Sequence, residues 1–260
     1  TAGTVTQVGE STVAAALGSS AEFDSVRVSD VVSAYDTVND KFVIVWKKST
    51  AATWNAVVAT VSGTSISYGT PVEIYATSGN GAGIAYDVSA GKMVVVFMDS
   101  TGGPADKYGR SAVGTISGTD ISFATTVIFT STAIDNIGGI VYDANAQKVV
   151  VVYRNNWPYT GYSKVGTISG TLSWGAEATF SSNSHTQYDS SLTYDSTANK
   201  VVTVYRDNDA SDYGYAKVGT VSGTTISFGT ATAFLSSIVR STVCSYDPNQ
   251  DKTVVACQDD

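Results

Sequence analysis

The stretch Tyr194-Asp-Ser-Thr-Ala-Asn-Lys-Val-Val-Thr-Val-Tyr-Arg206 recurs in altered form along the 260-residue chain. Its Tyr-Asp pair stands at Tyr35-Asp36, Tyr86-Asp87, Tyr142-Asp143, Tyr194-Asp195 and Tyr246-Asp247, in steps of 51, 56, 52 and 52 residues. A lysine follows each Asp by five residues, at Lys41, Lys92, Lys148, Lys200 and Lys252. Self-similarity at this period marks a propeller, solenoid or array, in which each repeat is one supersecondary unit.

Working outward from that stretch, each repeat reads as four strands. A short strand rich in small residues leads into Tyr-Asp, as in Ser191 to Tyr194. A turn follows, opened by an Asp able to accept hydrogen bonds from its own backbone two residues on. The second strand is a nearly unbroken apolar run, such as Val149 to Tyr153, which suits a strand covered on both faces. The third, such as Tyr215 to Val221, ends in Ser-Gly-Thr at Ser62, Ser117, Ser169 and Ser222, where glycine supplies the positive φ of a tight hairpin. The fourth runs over Ile66 to Ile74, Ile121 to Phe129, Leu172 to Phe180 and Ile226 to Phe234.

The expected architecture is an all-β five-bladed propeller in one domain, with four-stranded antiparallel blades over 31–74, 83–129, 139–180 and 191–234. The fifth blade is expected to be shared between 241–260 and 1–17. Ala2-Gly-Thr-Val5 resembles Val218-Gly-Thr-Val221, so the N-terminus supplies the third strand missing after Asp260. Closure of this kind leaves no unpaired edge. Two cysteines, Cys244 and Cys257, fall in the last repeat, either as free thiols or as a bridge within one hairpin.

Composition narrows function. The net charge is −8, without the positive field that holds phosphate backbones, so nucleic acid and anionic membranes are set aside. No apolar run is long enough to span a bilayer, and Thr1 to Gly9 carries no leader pattern. One histidine and two cysteines make no zinc set. No metal and no cofactor is expected.

Naming the four strands a to d in order, the a–b and c–d turns are nearly identical between repeats, whereas the b–c loops and the d–a loops into the next repeat, at the opposite strand ends, differ. Function on a rigid scaffold concentrates in such loops. They contain Trp54, Tyr108, Trp157, Tyr159, Tyr188 and Tyr213. Trp and Tyr beside Asp, Asn and Ser suit sugars, the ring meeting the sugar's apolar face and the polar groups its hydroxyls; the alternative is that these rings seal loops onto blade edges. Arg154 and Arg206, at the ends of second strands, are expected to bond loop carboxylates or carbonyls, with a ligand anion as the rival role. Asp30, Asp135 and Asp189 are carboxylates that the repeat does not explain. A trio near the axis is the arrangement a glycoside hydrolase would need, but loop capping is the commoner use. His185 lacks a nucleophile elbow, and the spacing of Asp207, Asn208, Asp209 and Asp212 matches no EF-hand loop.

The runs Tyr194 to Arg206 and Lys217 to Thr230 resemble repeats of structural and tail-fibre-like proteins of marine bacteriophages. The first copy departs from the pattern, with Ala59 in place of Gly and Trp46-Lys47 in place of Tyr-Arg. The resemblance implies a virion-surface or secreted, extracellular adhesin with host carbohydrate or another host-surface ligand as target, and contacts with other virion proteins. It supplies no catalytic residues. A non-enzymatic binding module is therefore the expected function, with a structural propeller and a glycoside hydrolase as alternatives.

Overall fold

Each Tyr-Asp pair closes the first strand of a repeat onto the second. In all five turns the Asp carboxylate accepts hydrogen bonds from backbone N–H groups two or three residues on: Val38 to Asp36 (2.9 Å), Ala90 to Asp87 (3.0 Å), Asn145 to Asp143 (3.0 Å), Thr197 to Asp195 (3.0 Å) and Asn249 to Asp247 (2.9 Å). The residue before each lysine, among them Asp40 and Asn199, is left-handed. The chain thereby reverses, and Asp and Lys become cross-strand partners, as at Asp195 and Lys200. The pair that marks the repeat in sequence therefore works as a turn.

The computed structural model describes residues 18–101, 107–181, 190–207 and 210–259, whose regular structure is entirely β. The first sheet contains β1 (Val28–Asp36), β2 (Lys41–Lys48), β3 (Thr53–Ser62), β4 (Ser65–Tyr68) and β5 (Val72–Ala76). The second contains β6 (Ala82–Asp87), β7 (Lys92–Asp99), β8 (Tyr108–Ser117), β9 (Asp120–Phe123) and β10 (Val127–Thr130). The third contains β11 (Ile134–Asp143), β12 (Lys148–Asn155), β13 (Gly161–Ser169), β14 (Thr171–Trp174) and β15 (Ala178–Ser181). The fourth contains β16 (Ser190–Asp195), β17 (Lys200–Asp207), β18 (Tyr213–Ser222), β19 (Thr225–Phe228) and the start of β20 (Thr232–Asp247). The end of β20 pairs with β21 (Lys252–Asp259) to form a fifth hairpin.

Every pairing is antiparallel, and each full sheet is a four-layer meander whose outermost layer is split. β4 pairs with one end of β3 and β5 with the other. This corrects the single fourth strand expected from sequence. After Gly69, which donates to Val58 O at 2.9 Å, Thr70 and Pro71 bulge out before pairing resumes at Val72. Proline, having no N–H, is at home at such a break. A second correction concerns Leu235 to Arg240, expected as a loop: this segment lies within the sixteen-residue β20.

The first strands β1, β6, β11, β16 and β20 pack side by side in chain order, and the apolar core lies in layers between successive sheets. The second strands of the second and third sheets are buried on both faces, with only Lys92 and Lys148 not buried, whereas β21 has no buried residue. The arrangement is consistent with propeller blades.

One contact motif repeats at these junctions. Phe180, on the outer layer of the third sheet, meets Tyr205 of the fourth edge-on at 5.4 Å and Phe228 at 6.0 Å. Phe129 of the second sheet meets Tyr153 of the third at 5.2 Å and Trp174 at 5.5 Å. Phe23, expected to lie in a loop between Gly18 and Asp30, meets Trp46 of the first sheet at 4.9 Å and Tyr68 at 6.1 Å. Residues 18–24 thus pack on the first sheet as residues 175–181 pack on the fourth.

The glycines agree. A Cβ on Gly18 would fall 1.7 Å from Thr64 O, on Gly69 1.8 Å from Thr119 O, and on Gly175 1.8 Å from Thr224 O. In each case the outer layer of one sheet touches the Ser-Gly-Thr turn of the next through backbone alone. The face of the first sheet directed away from the second is open among the described residues: Phe42 and Ile66 are 39% and 43% exposed, whereas their counterparts Met93 and Ile121 are 0% and 3%. The strands expected from residues 1–17 lie outside the described residues.

Candidate functional site

The turns that carry the repeat lie at one end of the strands, and the b–c and d–a loops lie at the other. At that loop end Trp157 is 76% exposed, the most exposed large apolar side chain among the described residues. It sits between β12 and β13 in a loop fixed from within. Asn155 Nδ2 donates to Trp157 O (2.9 Å), and Asn155 Oδ1 accepts from Thr160 N (2.6 Å). Asn156 N donates to Ala133 O (2.7 Å), which ties the loop to the segment leading into β11. The Trp157-Pro158 bond is cis, and Tyr159 is left-handed.

The Trp157 and Tyr159 rings meet edge-on at 5.7 Å. Beneath Tyr159 lies the Arg154 guanidinium, 4.9 Å from the ring centre. Arg154 is buried and forms a two-pronged ion pair with Asp135, with Nε donating to Oδ1 at 2.7 Å and Nη2 to Oδ2. Bidentate pairing of this kind fixes a planar guanidinium in orientation as well as position. Asp135, Arg154, Tyr159 and Trp157 therefore form one column, running from the first strand of the third sheet out to solvent.

The other residues expected to bind a ligand are distributed differently. Trp54 is fully buried in β3, where its ring packs 5.9 Å from Phe97 of the next sheet. Strand β3 starts at Thr53, so the b–c loop ends sooner than expected and the indole belongs to the core. Tyr108 and Tyr213 are half-buried at the starts of β8 and β18. Arg206 is buried, with Nε 3.6 Å from Asp212 Oδ1. Asp30 lies inside β1 at a left-handed bulge, not in a loop; it accepts from Ser29 Oγ (2.8 Å) and from Gly81 N (3.1 Å) of the next sheet. Tyr188, Asp189, His185, Asn208 and Asp209 lie outside the described residues.

Polar groups that the repeat pattern did not single out complete this end. Arg110 pairs with Asp99 through Nε and Nη2, both at 2.8 Å, and lies 4.5 Å over the Tyr75 ring. Burial raises the Asp99 carboxyl, but hydrogen bonds from Thr101, Arg110 and Thr77 outweigh it and hold the group below the usual carboxylate range. Lys47 donates to Ser78 O (2.6 Å) and Asn80 Oδ1 (2.5 Å); burial lowers its pKa, opposed by Asp30. The sequence signal for these internal polar contacts was an Arg or Lys at the loop-proximal end of a strand. The Asp partners of Arg110, Arg154 and Arg206 come from different elements in each sheet, so no spacing rule exposes them.

Both cysteines are free thiols and half-buried. Cys244 faces Val255 across the hairpin, which leaves Cys257 off the directly opposed position. Burial pushes the Cys244 thiol up to about 11, away from reactive thiolate. Among the described residues no group of three His, Cys, Asp or Glu side chains is placed to share a metal ion. No protein-family model matches the chain, and no curated protein matches it.

Proposed function

We propose that this chain is a non-enzymatic carbohydrate-binding module, a five-bladed propeller that uses its loop end to recognise a surface glycan. The observation that carries this reading is Trp157. A largely exposed indole is costly to leave in water, and here a hydrogen-bonded loop holds it in one orientation with Tyr159 at its edge. An aromatic ring so presented suits the C–H face of a pyranose, and the neighbouring half-buried Asn156 and Tyr159 offer polar groups for hydroxyls.

Closure of the ring is part of the reading. Phe23, Gly18 and Trp46 reproduce the contacts made by Phe180, Gly175 and Tyr205, so residues 18–24 act as the outer layer of a blade preceding the first sheet. We assign residues 1–17 to that blade, together with β20 and β21. They would cover the open side of the first sheet. A closed ring holds the loops of neighbouring blades at fixed separations, as a multi-contact glycan site requires.

The non-enzymatic reading is supported by the two described members of the carboxylate trio. Asp135 is taken up by Arg154 and Asp30 by Ser29 and Gly81. A general acid or base has to face a substrate proton. The repeats' likeness to those of phage fibre proteins favours an adhesin on a virion or cell exterior.

The test is a glycan array, followed by titration of the best hit. Trp157→Ala is expected to weaken binding at least tenfold, about 1.4 kcal/mol, and to leave the unfolding midpoint unchanged because the ring contributes little to the core. A hit that binds Trp157→Ala as tightly as the wild type overturns this site, and an array without hits overturns the sugar assignment.

A further inference from the structure

We infer that the cleft between the second and third sheets is a separate binding site for a hexose-sized, polyhydroxylated ligand, opened by two coincident departures from the repeat. At three junctions a glycine of one outer layer lies against a threonine carbonyl in the next Ser-Gly-Thr turn. Between the second and third sheets both partners are altered. Ala124 stands where the others have glycine, and the turn it faces is one residue shorter. In the first, second and fourth sheets Ser pairs across two loop residues, as in Ser117 with Asp120, and the loop glycine is left-handed. In the third, Ser169 pairs with Thr171 across Gly170 alone. The carbonyl that a Cβ at position 124 would strike is thus removed.

The two changes fit together, yet the space they free is not refilled. A cleft of about 390 Å³ remains, lined by Lys92, Val113, Thr115, Thr125, Thr171 and Leu172 among others. Interiors and blade junctions normally pack without such gaps, and the volume falls at the small end of ligand pockets. It has room for roughly a dozen water-sized groups, close to the heavy-atom count of a hexopyranose.

The lining determines the ligand class. Val113 and Leu172 provide apolar surface, and Thr115, Thr125 and Thr171 provide hydroxyls. The Lys92 ammonium donates to Thr115 Oγ1 at 2.7 Å and is placed to donate to a ligand as well. No carboxylate lines the cleft, although the chain carries a net charge of −8. A cation would find no counter-charge here, and a hydrocarbon would strand the hydroxyls. A neutral sugar, with one C–H face and a rim of hydroxyls, satisfies both sets of groups. This cleft lies near the turn end of the strands, remote in the repeat from the Trp157 loop, and the inference does not depend on ring closure or on Trp157.

The experiment is a two-dimensional amide NMR titration of the full chain with glucose, galactose, mannose and N-acetylglucosamine, each carried to saturation or to its solubility limit. At least one sugar is expected to give saturable shifts at Thr125, Gly170 and Thr171. Two plugged variants, Thr125→Trp in the segment between β9 and β10 and Thr115→Trp in β8, alter exposed positions. Each is expected to weaken that binding at least tenfold, and Trp157→Ala to leave it unchanged. The inference is overturned if no sugar shifts these amides saturably, or if the shifts persist in whichever plugged variants retain the wild-type amide spectrum elsewhere. Loss of the shifts in Trp157→Ala alone would assign the sugar to the loop end and also overturn it.

Discussion

The junction onto the fourth sheet and the junction onto the first are built from the same contacts, but the chain supplies them in different ways. At the fourth sheet, Phe180 and Gly175 arrive from the preceding repeat, directly ahead in sequence. At the first sheet, Phe23 and Gly18 arrive from a segment that precedes any complete repeat. The rings still meet edge-on, at 5.4 Å in one case and 4.9 Å in the other, and the glycines still touch a threonine carbonyl. These equivalent contacts support the proposal that residues 18–24 serve the first sheet as an outer layer, as residues 175–181 serve the fourth.

The largest expected effect breaks this equivalence outright. On the proposed ring closure, deleting residues 1–17 should destabilise the chain by at least about 3–5 kcal/mol, comparable with truncating one large core side chain, because the half-exposed Phe42 and Ile66 face of the first sheet is the one that the fifth blade is proposed to cover. Chemical denaturation measures it; a midpoint equal to that of the intact chain would mean that the N-terminus is not part of the ring. Next comes the pair Phe180→Ala and Phe23→Ala. The first should cost about 3–5 kcal/mol. Phe23 is less buried, so its truncation should cost less, but clearly more than a surface change of about 0.5 kcal/mol. If Phe23→Ala is silent, its contact with Trp46 adds nothing and the two junctions are not alike.

A smaller effect sharpens the comparison. Gly175→Ala places a Cβ against the backbone oxygen of Thr224, which no side-chain rotation can relieve, and should cost about 1–3 kcal/mol. The reverse change, Ala124→Gly at the open junction, relieves no clash and should cost no more than about 1 kcal/mol, through backbone entropy. Thermal unfolding of the two variants in parallel reads the difference. Equal effects would show that the shortened turn at Gly170 has not freed the space beside Ala124.

How much of this was legible in the sequence follows from where the physics is local. The Tyr-Asp turn repeats because an Asp can bond only its own next few N–H groups, so five copies make the period plain. The unbroken run Val149 to Val152 reads as a doubly covered strand for a similar reason. The break after Gly69 had a local signal in Gly69-Thr70-Pro71, which interrupts the β pattern of Ile66 to Ile74, but the contact of Gly69 with Thr119 O of the next sheet had none. Phe23 was lost in an apparent loop because its partners, Trp46 and Tyr68, likewise lie far along the chain. At the candidate site, Trp157 could be singled out because Pro158 and a variable loop surround it. Trp54 could not be separated from it by sequence, since only the neighbouring sheet and Phe97 make it core. The Arg154–Asp135 pair joins residues 19 apart on different strands, and the cleft at Ala124 needs two repeats to be superposed before its missing turn residue becomes significant.

The smallest effect concerns a carboxylate that the first junction has and the fourth lacks. Asp24 has no acidic counterpart in the other repeats, where Tyr75, Thr130, Ser181 and Leu235 stand. It accepts from the buried Trp46 indole N–H at 2.9 Å and pairs with Lys48 at 3.2 Å. Burial raises its carboxyl, but bonds from Val26 N, Lys48 and Trp46 prevail and lower the pKa. A carboxylate whose folded pKa lies below its unfolded value of about 3.9 contributes stability that is complete above that value and is lost as pH falls through the folded one. Asp24→Asn should therefore destabilise the chain at pH 7 by no more than about 1 kcal/mol, given partial solvent screening, and the gap to wild type should shrink below pH 4. Denaturation at pH 7 and pH 3, followed by tryptophan fluorescence, measures this gap. A gap independent of pH would show that Asp24 acts at the first junction as a neutral acceptor for Trp46 and that its charge plays no part.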